Sequence, residues 1–259
     1  MRFLALSIFF LFFQFSIAQK SSTQADKVMS ALEKKSKMGE VSLVKNIPIK
    51  NIGPSVMSGR VVDLDVNPDN PTEFYVAYAS GGLWHTQNNG ISFTPILDNS
   101  DTQNIGDIAV DWTNGSIWVG TGENNSSRSS YAGIGILKST DKGKTWENMG
   151  LPDSHHIGRI VINPNNPNEV VVGVTGHLYS PNEERGIYKT LDGGNTWQRT
   201  LFVNNTTGII DVAHAPSNFN MQYAAAWQKD RKAWNFTGNG SASGIYKSAA
   251  VSYTHLRAH

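Results

Sequence analysis

The sequence contains no cysteine, few charged residues and almost no net charge, and each shortage excludes a class of protein. Without Cys, neither a disulfide framework nor a thiol for lipid attachment is available. Charged residues make up 17% of the 259 residues, and the formal net charge is +1. Because nucleic-acid binding normally requires a basic surface, we expect no nucleic-acid partner.

Motifs for common cofactor and hydrolase chemistry are also missing. The sequence has no G-x-S-x-G motif, and the Gly-rich stretches "GTGENN" and "GIGIL" do not open a helix, as a phosphate-binding loop would. We therefore expect no cofactor. His155 and His156 are adjacent, but neighbours in an extended chain point to opposite sides, so we expect no metal site from this pair.

One long apolar run is present, at the start of the chain. Arg2 precedes "FLALSIFFLFF", and small residues follow at Ser16 and Ala18, which is typical of a secretory signal peptide cleaved after Ala18. The alternative is a membrane span, but the run is shorter than the roughly 20 residues that a bilayer requires. We expect residues 1–18 to be a signal peptide, and the mature protein to be secreted, periplasmic or at the cell surface without a membrane span.

Both ends of the remaining chain differ from its centre. Residues 19–45 are polar and Lys-rich, and form either a short amphipathic helix or a disordered segment. Residues 251–259, "VSYTHLRAH", match nothing upstream and resemble the translated adapter tail of some assembled reading frames. The alternative is a genuine C-terminus. We expect a non-native tail and a chain that is truncated near residue 250.

Residues 46–250 contain a repeat of about 50 residues. Each copy has an alternating stretch such as "DIAVDW", an apolar run such as "IWVGTG" and a stretch that begins at Gly, such as "GILKST". A turn and an aromatic-led strand close the copy. Four strands per copy, repeated around an axis, predict an all-β fold: a β-propeller of four-stranded blades, with about four blades present.

Similar turns close two of the copies, "STDKGKTW" at 139–146 and "TLDGGNTW" at 190–197. Asp accepts hydrogen bonds from its own turn, Gly supplies a positive φ, and Trp packs between neighbouring sheets. In "TQNNGISF", a weaker copy, Asn and Phe replace Asp and Trp. We expect these turns to be structural and to contact no substrate. The residues assigned to them are Asn88, Gly90, Asp141, Gly143, Trp146, Asp192, Gly194 and Trp197.

The pattern S/T-x-D-x-G-x-T-W resembles the Asp box, or BNR repeat, of sialidases, sortilin-type domains and several glycan hydrolases. Residues 52–248 resemble the sortilin-like Asp-box propellers that bacteria export. The stretches that carry this resemblance, besides the turn pattern, are "GPSVMSGRV", "NPDNP", "NPNNPNE" and "RGIYKTLDGGNTW". The resemblance covers roughly three quarters of the chain. Such propellers usually have six or more blades, so it implies an N-terminal fragment of a longer protein. It also implies a glycan or peptide ligand.

One charged position recurs in the first strand of each copy. It lies five residues before the Pro of an "NP" or "AP" pair; in blade two, Trp112 takes the place of that Pro. First strands surround the channel of a propeller, so these side chains are expected to converge at its mouth. Alternatively, they are solvated or bond neighbouring backbone groups. The four residues are Asp63, Asp107, Arg159 and Asp211. Glycoside hydrolysis uses two carboxylates. The catalytic candidates are Asp63, Asp107, Asp211 and Glu123.

Successive strands of a four-stranded blade run in opposite directions. The loop between the second and third strands therefore lies on the face where the first strand begins, and the Asp-box turn, between the third and fourth strands, lies on the opposite face. These loops lengthen from "ASGG" in the first copy to "QKDRKAWNFTGNGSASG" in the fourth. Long loops on a rigid scaffold are where binding residues concentrate, although a loop can also be merely exposed. The candidate ligand-binding residues are Arg60, Arg128, Tyr131, Arg159, His177, Tyr179, Arg185, Asp230, Arg231 and Trp234.

Three functions follow from these patterns. The first is a secreted propeller that binds a glycan or peptide on its loop-rich face. The second is a glycoside hydrolase of the sialidase or xyloglucanase kind, and the third is a passive surface module. Sialidase activity is disfavoured because the arginines do not match that family's motifs; the arginines considered are Arg60, Arg128, Arg159 and Arg231.

Overall fold

The computed structural model describes residues 22–48, 59–249 and 253–256, so the predicted signal peptide lies outside the described residues. Helix α1 (Ala25–Glu40) forms in the polar N-terminal segment, which selects the helical alternative for that part. Val28 and Leu32 pack against buried apolar side chains of the sheets that follow. Lys35 Nζ lies 2.9 Å from Asp101 Oδ1. In the described part of the chain, no helix has the length and apolar character needed to cross a bilayer.

Four antiparallel four-stranded sheets follow α1, each with its strands in chain order. Blade one comprises β1 (Val61–Val66), β2 (Phe74–Tyr78), β3 (Gly82–Thr86) and β4 (Thr94–Pro95). Blade two comprises β5 (Ile105–Asp111), β6 (Ser116–Thr121), β7 (Ile136–Ser139) and β8 (Glu147–Asn148). Blade three comprises β9 (Ile157–Asn163), β10 (Asn166–Val174), β11 (Gly186–Thr190) and β12 (Gln198–Leu201). Blade four comprises β13 (Thr207–Ala215), β14 (Asn218–Gln228), an inserted hairpin of β15 (Asp230–Arg231) and β16 (Phe236–Thr237), then β17 (Gly244–Ser248) and β18 (Tyr253–Leu256).

The first strands β1, β5, β9 and β13 contact one another in this order, so the four sheets are arranged as successive blades. The predicted all-β propeller fold is confirmed.

Apolar side chains of the second strands fill the space between the blades. Successive residues of a strand point to opposite faces of its sheet. In β6, Ile117 and Val119 therefore enter the core shared with blade one, whereas Trp118 enters the core shared with blade three. This explains why β6 is buried along its whole length.

A glycine lets the first strands of blades three and four approach closely. A Cβ placed on Gly158 of β9 would lie 2.5 Å from the carbonyl oxygen of Ile209 in β13. Atoms in contact stay well outside that distance, so only Gly fits here without a shift of backbone.

The predicted turns share one pattern of hydrogen bonds in three blades. The hydroxyl residue at the end of the third strand donates to the Oδ1 of the Asp or Asn two residues later, at 2.7–3.0 Å. The same hydroxyl accepts the N–H of the turn Gly at 2.8–3.0 Å. Asn88 makes these contacts as Asp141 and Asp192 do, which explains how Asn can replace Asp.

The Trp residues after two of these turns connect neighbouring blades. Trp146 Nε1 donates to the carbonyl oxygen of Ile96 at 3.0 Å, and Trp197 Nε1 donates to that of Met149 at 2.7 Å. Both acceptors directly follow the outer strand of the preceding blade. Among the described contacts, the turns therefore bind themselves and the adjacent blade.

Blade four has an outer strand in the segment that we expect to be a non-native tail. Strand β18 pairs antiparallel with β17, with Ser248 opposite Tyr253 and Ile245 opposite Leu256. The unpaired edge of β17 presents N–H and C=O groups that any following extended segment can satisfy. Because such pairing uses backbone groups only, it does not test whether residues 251–259 are native, and the foreign tail stays a prediction.

Candidate functional site

The recurring charged position of the first strands occupies an equivalent register in all four blades. Each residue lies opposite a residue near the end of the second strand, in the pairs Asp63–Ala77, Asp107–Gly120, Arg159–Gly173 and Asp211–Ala225. The start of each first strand and the loop after each second strand therefore share one face. We call this face the loop-rich face.

Arg159 joins the three aspartates of this position into one network. Its Nε lies 2.8 Å from Asp211 Oδ1, and its Nη1 lies 3.1 Å from Asp107 Oδ1 and 3.8 Å from Asp63 Oδ1. Burial raises the pKa of Asp107 well above its usual value, the charge of Asp63 adds to the rise, and the charge of Arg159 opposes it. Three of the four catalytic candidates therefore converge.

Two of these aspartates also bond the backbone of the next blade. Asp63 Oδ2 accepts the N–H of Ile108 at 3.2 Å, and Asp107 Oδ2 accepts that of Ile160 at 2.6 Å. Both donors lie on the innermost strand of their blade, which is an edge strand. The N–H groups on its free edge have no neighbouring strand in their own sheet to accept them. The structure thus gives these carboxylates the backbone-bonding role that the sequence left open.

The fourth candidate carboxylate, Glu123, connects blades one and two. It is 2% exposed and forms an ion pair with Nη2 of Arg60, the residue directly before β1. Arg60, a predicted ligand contact, is therefore occupied in neutralising a buried carboxylate.

A cavity of about 510 Å³ opens on the loop-rich face, where the loops of blades two and three meet. Its walls come from three loop segments, 130–134, 152–156 and 177–180, and residues 22–28 at the start of α1 close one side. His177 and Tyr179, predicted ligand contacts, line this cavity. We call it the loop-face cavity.

Two loops bring histidines together at the cavity wall. The rings of His155 and His177 stack with their centroids 3.6 Å apart and 21° between their planes. His177 Nε2 lies 3.0 Å from Asp153 Oδ1, and its Nδ1 lies 2.9 Å from Ser180 Oγ. Burial lowers the pKa of His155 to about 4 and also lowers the pKa of His177, so both imidazoles are neutral at pH 7.

His156 faces away from its neighbour. Its ring centroid is 6.3 Å from that of His155, with 75° between the planes. The residue lines the cavity, is 2% exposed, and its Nδ1 has no hydrogen-bond partner among the described residues. An unpaired buried polar group of this kind costs about 1–3 kcal/mol.

Two buried cations lie behind the cavity wall. Arg185 is 2% exposed and donates to three carbonyl oxygens of the 175–180 segment at 2.7–3.0 Å. It therefore supports the loop from behind. This differs from its expected place among the ligand contacts, because both Nη atoms donate to backbone oxygens and the residue is buried. Lys229 donates to Ser126 Oγ at 2.7 Å, and burial, helped by the charge of Arg185, lowers its pKa to about 7.

A carboxyl with a raised pKa lies beside the cavity. Burial raises the pKa of Glu184 to about 7, with the charge of Asp153 adding to the rise and the backbone N–H of Asp153 opposing it. Asn182 Nδ2 donates to the backbone oxygens of Asp153 at 2.8 Å and Glu184 at 3.4 Å, which joins the two segments. Asp153 follows Pro152, which lines the cavity.

The other predicted contacts of blades two and three lie outside the cavity lining. Tyr131 is 58% exposed. The hydroxyl of Tyr179 donates to the backbone oxygen of Arg128 at 3.0 Å, which links the two loops.

The predicted contacts of blade four belong to the β15–β16 hairpin and its flanks. Asp230 Oδ1 lies 3.0 Å from Lys232 Nζ, and the guanidinium of Arg231 lies 4.9 Å from the ring centre of Phe236. Trp234, between the two strands, is 74% exposed. None of the three predicted residues lines the cavity.

Several residues of the cavity region were not among the predicted site residues. Asp153, Ser180, Glu184 and Lys229 were not considered, and His155 was considered only together with His156. The signal that could have found all of these except Lys229 is the density of polar groups in "DSHHIG" and "GHLYSPNEER", two loops that the repeat places on one face.

Comparison with known proteins shows the fold. No family model and no curated protein matches the sequence. An ancestral GH74 enzyme superposes with a TM-score of 0.57 at 20% identity, covering 78% of this chain and 26% of the enzyme. The Niastella koreensis GH74 enzyme gives 0.54 at 20% identity, with 74% and 28% covered. The GH74 xyloglucanase of Xanthomonas campestris gives 0.52 at 14% identity, with 75% and 29% covered. This chain therefore spans less than a third of the length of each enzyme.

Proposed function

We propose that the chain forms part of an exported Asp-box β-propeller that binds a glycan in the loop-face cavity. The observation that carries the proposal is the cavity, whose volume of about 510 Å³ lies within the roughly 300–1,000 Å³ of small-molecule sites. Export is supported by the apolar run of residues 1–18, and the Asp-box assignment by "STDKGKTW" and "TLDGGNTW".

The cavity wall has the mixed character that a sugar requires. Pro152 and Leu178 present apolar surface, which suits the ring face of a sugar, whereas Ser130 and Ser180 present hydroxyl groups. His155, His156 and His177 add imidazole rings to the same wall.

The test compares two tyrosines of the same face. The purified chain is applied to a glycan array, and the strongest ligand is titrated by calorimetry against Tyr179→Ala and Tyr131→Ala. Tyr179 lines the cavity and Tyr131 is exposed outside it. We expect Tyr179→Ala to weaken binding by about tenfold or more, equivalent to about 1.4 kcal/mol. Tyr131→Ala should bind as the unmodified chain does.

Two outcomes would contradict the proposal. One is the absence of any glycan ligand, and the other is an equal loss of affinity in both variants. If a peptide library gives a ligand whose binding Tyr179→Ala abolishes while no glycan binds, the site is a peptide site.

A glycoside hydrolase is the second candidate, and Glu184 favours it. A carboxyl whose pKa is raised to near neutral pH by burial is suited to act as the general acid of a carboxyl pair. Burial holds the pKa of Glu184 at about 7, and Asp153 is the neighbouring carboxylate. The carboxylates predicted first, Asp63 and Asp107, are instead bonded to backbone N–H groups.

The hydrolase candidate is tested with Glu184→Gln and its neighbour Glu183→Gln as a matched control. Turnover is measured on a panel of plant, host and bacterial glycans. Loss of a general acid lowers the rate by about 10²–10⁴-fold, so Glu184→Gln should be inactive and Glu183→Gln active. Activity should also fall as the pH rises above about 7, where Glu184 loses its proton. Absence of turnover on the whole panel would reject this candidate.

A further inference from the structure

Three potential metal ligands meet at the wall of the loop-face cavity. Asp153, His155 and His177 each offer a ligand atom, and these atoms all lie within 4.8 Å of one another. The first two come from the connection between β8 and β9, and His177 comes from the loop after β10. The cluster therefore exists only where two separate loops meet.

We propose that Asp153, His155 and His177 bind a divalent transition-metal ion of the zinc type, with an open coordination position towards the loop-face cavity. Imidazole nitrogens and one carboxylate oxygen are ligands that zinc prefers, and three protein ligands with one open position are typical of zinc sites that act on a substrate. Hard ions such as Mg²⁺ and Ca²⁺ prefer oxygen ligands and suit this set poorly.

The distances require a small rearrangement on binding. Zinc–nitrogen bonds are about 2.0–2.1 Å, which places tetrahedral ligand atoms about 3.3–3.4 Å apart. The rings of His155 and His177 are already 3.6 Å apart between their centroids, but they lie nearly parallel. Binding one ion therefore requires the rings to rotate until one nitrogen of each points towards it. The hydrogen bond between His177 and Asp153 is then replaced by two bonds to the metal.

Neighbouring groups already hold two of the ligands in place. Ser180 Oγ lies 2.9 Å from Nδ1 of His177, which leaves Nε2 on the side of Asp153. Asn182 Nδ2 contacts Asp153 through its backbone oxygen at 2.8 Å and its Oδ2 at 3.3 Å. Hydrogen bonds of this kind orient the ligands of a metal site and strengthen it.

The probe is Zn²⁺ alone, titrated by calorimetry into the chain after removal of any affinity tag and treatment with a chelator. The variants are His155→Ala and His177→Ala. His85→Ala is the matched control, since His85 Nε2 lies 3.0 Å from Glu73 Oε1 and so forms a similar histidine–carboxylate pair without a second histidine. Circular dichroism establishes that each variant is folded.

We expect the unmodified protein to bind one Zn²⁺ ion per chain. His155→Ala and His177→Ala should each lose at least about tenfold in affinity for Zn²⁺. His85→Ala should bind Zn²⁺ as the unmodified protein does. X-ray absorption at the zinc edge gives a readout that needs no variant, with two imidazole ligands at about 2.0–2.1 Å. Failure to bind Zn²⁺ stoichiometrically, a spectrum without imidazole, or an equal loss in His85→Ala would overturn the proposal. Because Zn²⁺ is the probe, these results are independent of whether the cavity also binds a glycan.

Discussion

Replacing Arg159 by Met tests whether the charges at the centre of the loop-rich face hold the blades together. Met has a similar length and no charge, so the change removes the ion pairs with the three surrounding aspartates. Asp107 is affected most, because it is only 2% exposed. It then keeps the N–H of Ile160 at 2.6 Å but loses its nearest cation.

The expected cost follows from the burial of the two partners. Breaking a fully buried ion pair costs about 3–5 kcal/mol. The side chain of Arg159 is 38% exposed, and water screens such a group, so we expect about 1–3 kcal/mol. For a chain of this size, a loss of about 2 kcal/mol lowers Tm by about 4–8 °C.

The cost should also depend on pH, because the folded pKa of Asp107 is raised above its unfolded value by burial and then by Asp63. The folded state therefore holds this proton more tightly than the unfolded state, and stability falls as the pH rises through the folded pKa. Without Arg159 the pKa rises further. The deficit of Arg159→Met should thus be smaller at about pH 5 than at about pH 8.

The assay is urea unfolding followed by Trp fluorescence at both pH values, with Arg159→Met, Asp107→Asn and the double variant. The two changes should be non-additive by about 1 kcal/mol or more, since the residues are in contact. Lys35→Met is the control, because it removes an exposed ion pair that contributes at most about 1 kcal/mol. An equal deficit at both pH values, or additive effects, would refute the reasoning.

Three further changes test the contacts between blades and within the turns, each by urea unfolding. Trp197→Ala removes a large side chain from the core between blades two and three and should cost about 3 kcal/mol, the lower end for such changes because the side chain is partly exposed. Gly158→Ala should destabilise because its Cβ meets backbone, whereas Gly39→Ala in α1, where a Cβ meets nothing, should stabilise slightly. Asp141→Ala should lower the free energy of unfolding at neutral pH more than Asp141→Asn. Hydrogen bonds from Thr145 and Ser139 hold the pKa of Asp141 at about 2, so the Asp141 contribution should disappear as the pH falls from about 4 to about 2.

The blades could be predicted from sequence because each one repeats the same local chemistry. "GILKSTDKGKTW" and "GIYKTLDGGNTW" each contain a strand, a hydroxyl residue, an Asp, a Gly and a Trp at fixed spacing. Every hydrogen bond of the turn lies within five residues, so the spacing alone specifies it. The degenerate copy at Asn88 was recognisable for the same reason, because an amide oxygen accepts the same N–H groups.

The cavity could not be predicted in this way, since its residues do not repeat. His155 and His177 lie in loops of different length, and no period relates them. Burial is also invisible in a loop sequence. Arg185 lies among polar residues that look exposed in the sequence, yet it is almost fully buried and both of its Nη atoms donate to carbonyl oxygens.

The innermost strand of each blade faces the channel and has one free edge. This explains why charged residues on that strand are misleading as candidates for catalysis. The innermost strand of a blade is an edge strand, and its outward N–H groups need acceptors. Asp63 and Asp107 supply these acceptors to Ile108 and Ile160 of the following blades. These bonds give Asp63 and Asp107 a structural role that needs no catalytic explanation. The residues of the cavity wall do not recur from blade to blade, so their side chains are the better place to seek a ligand site.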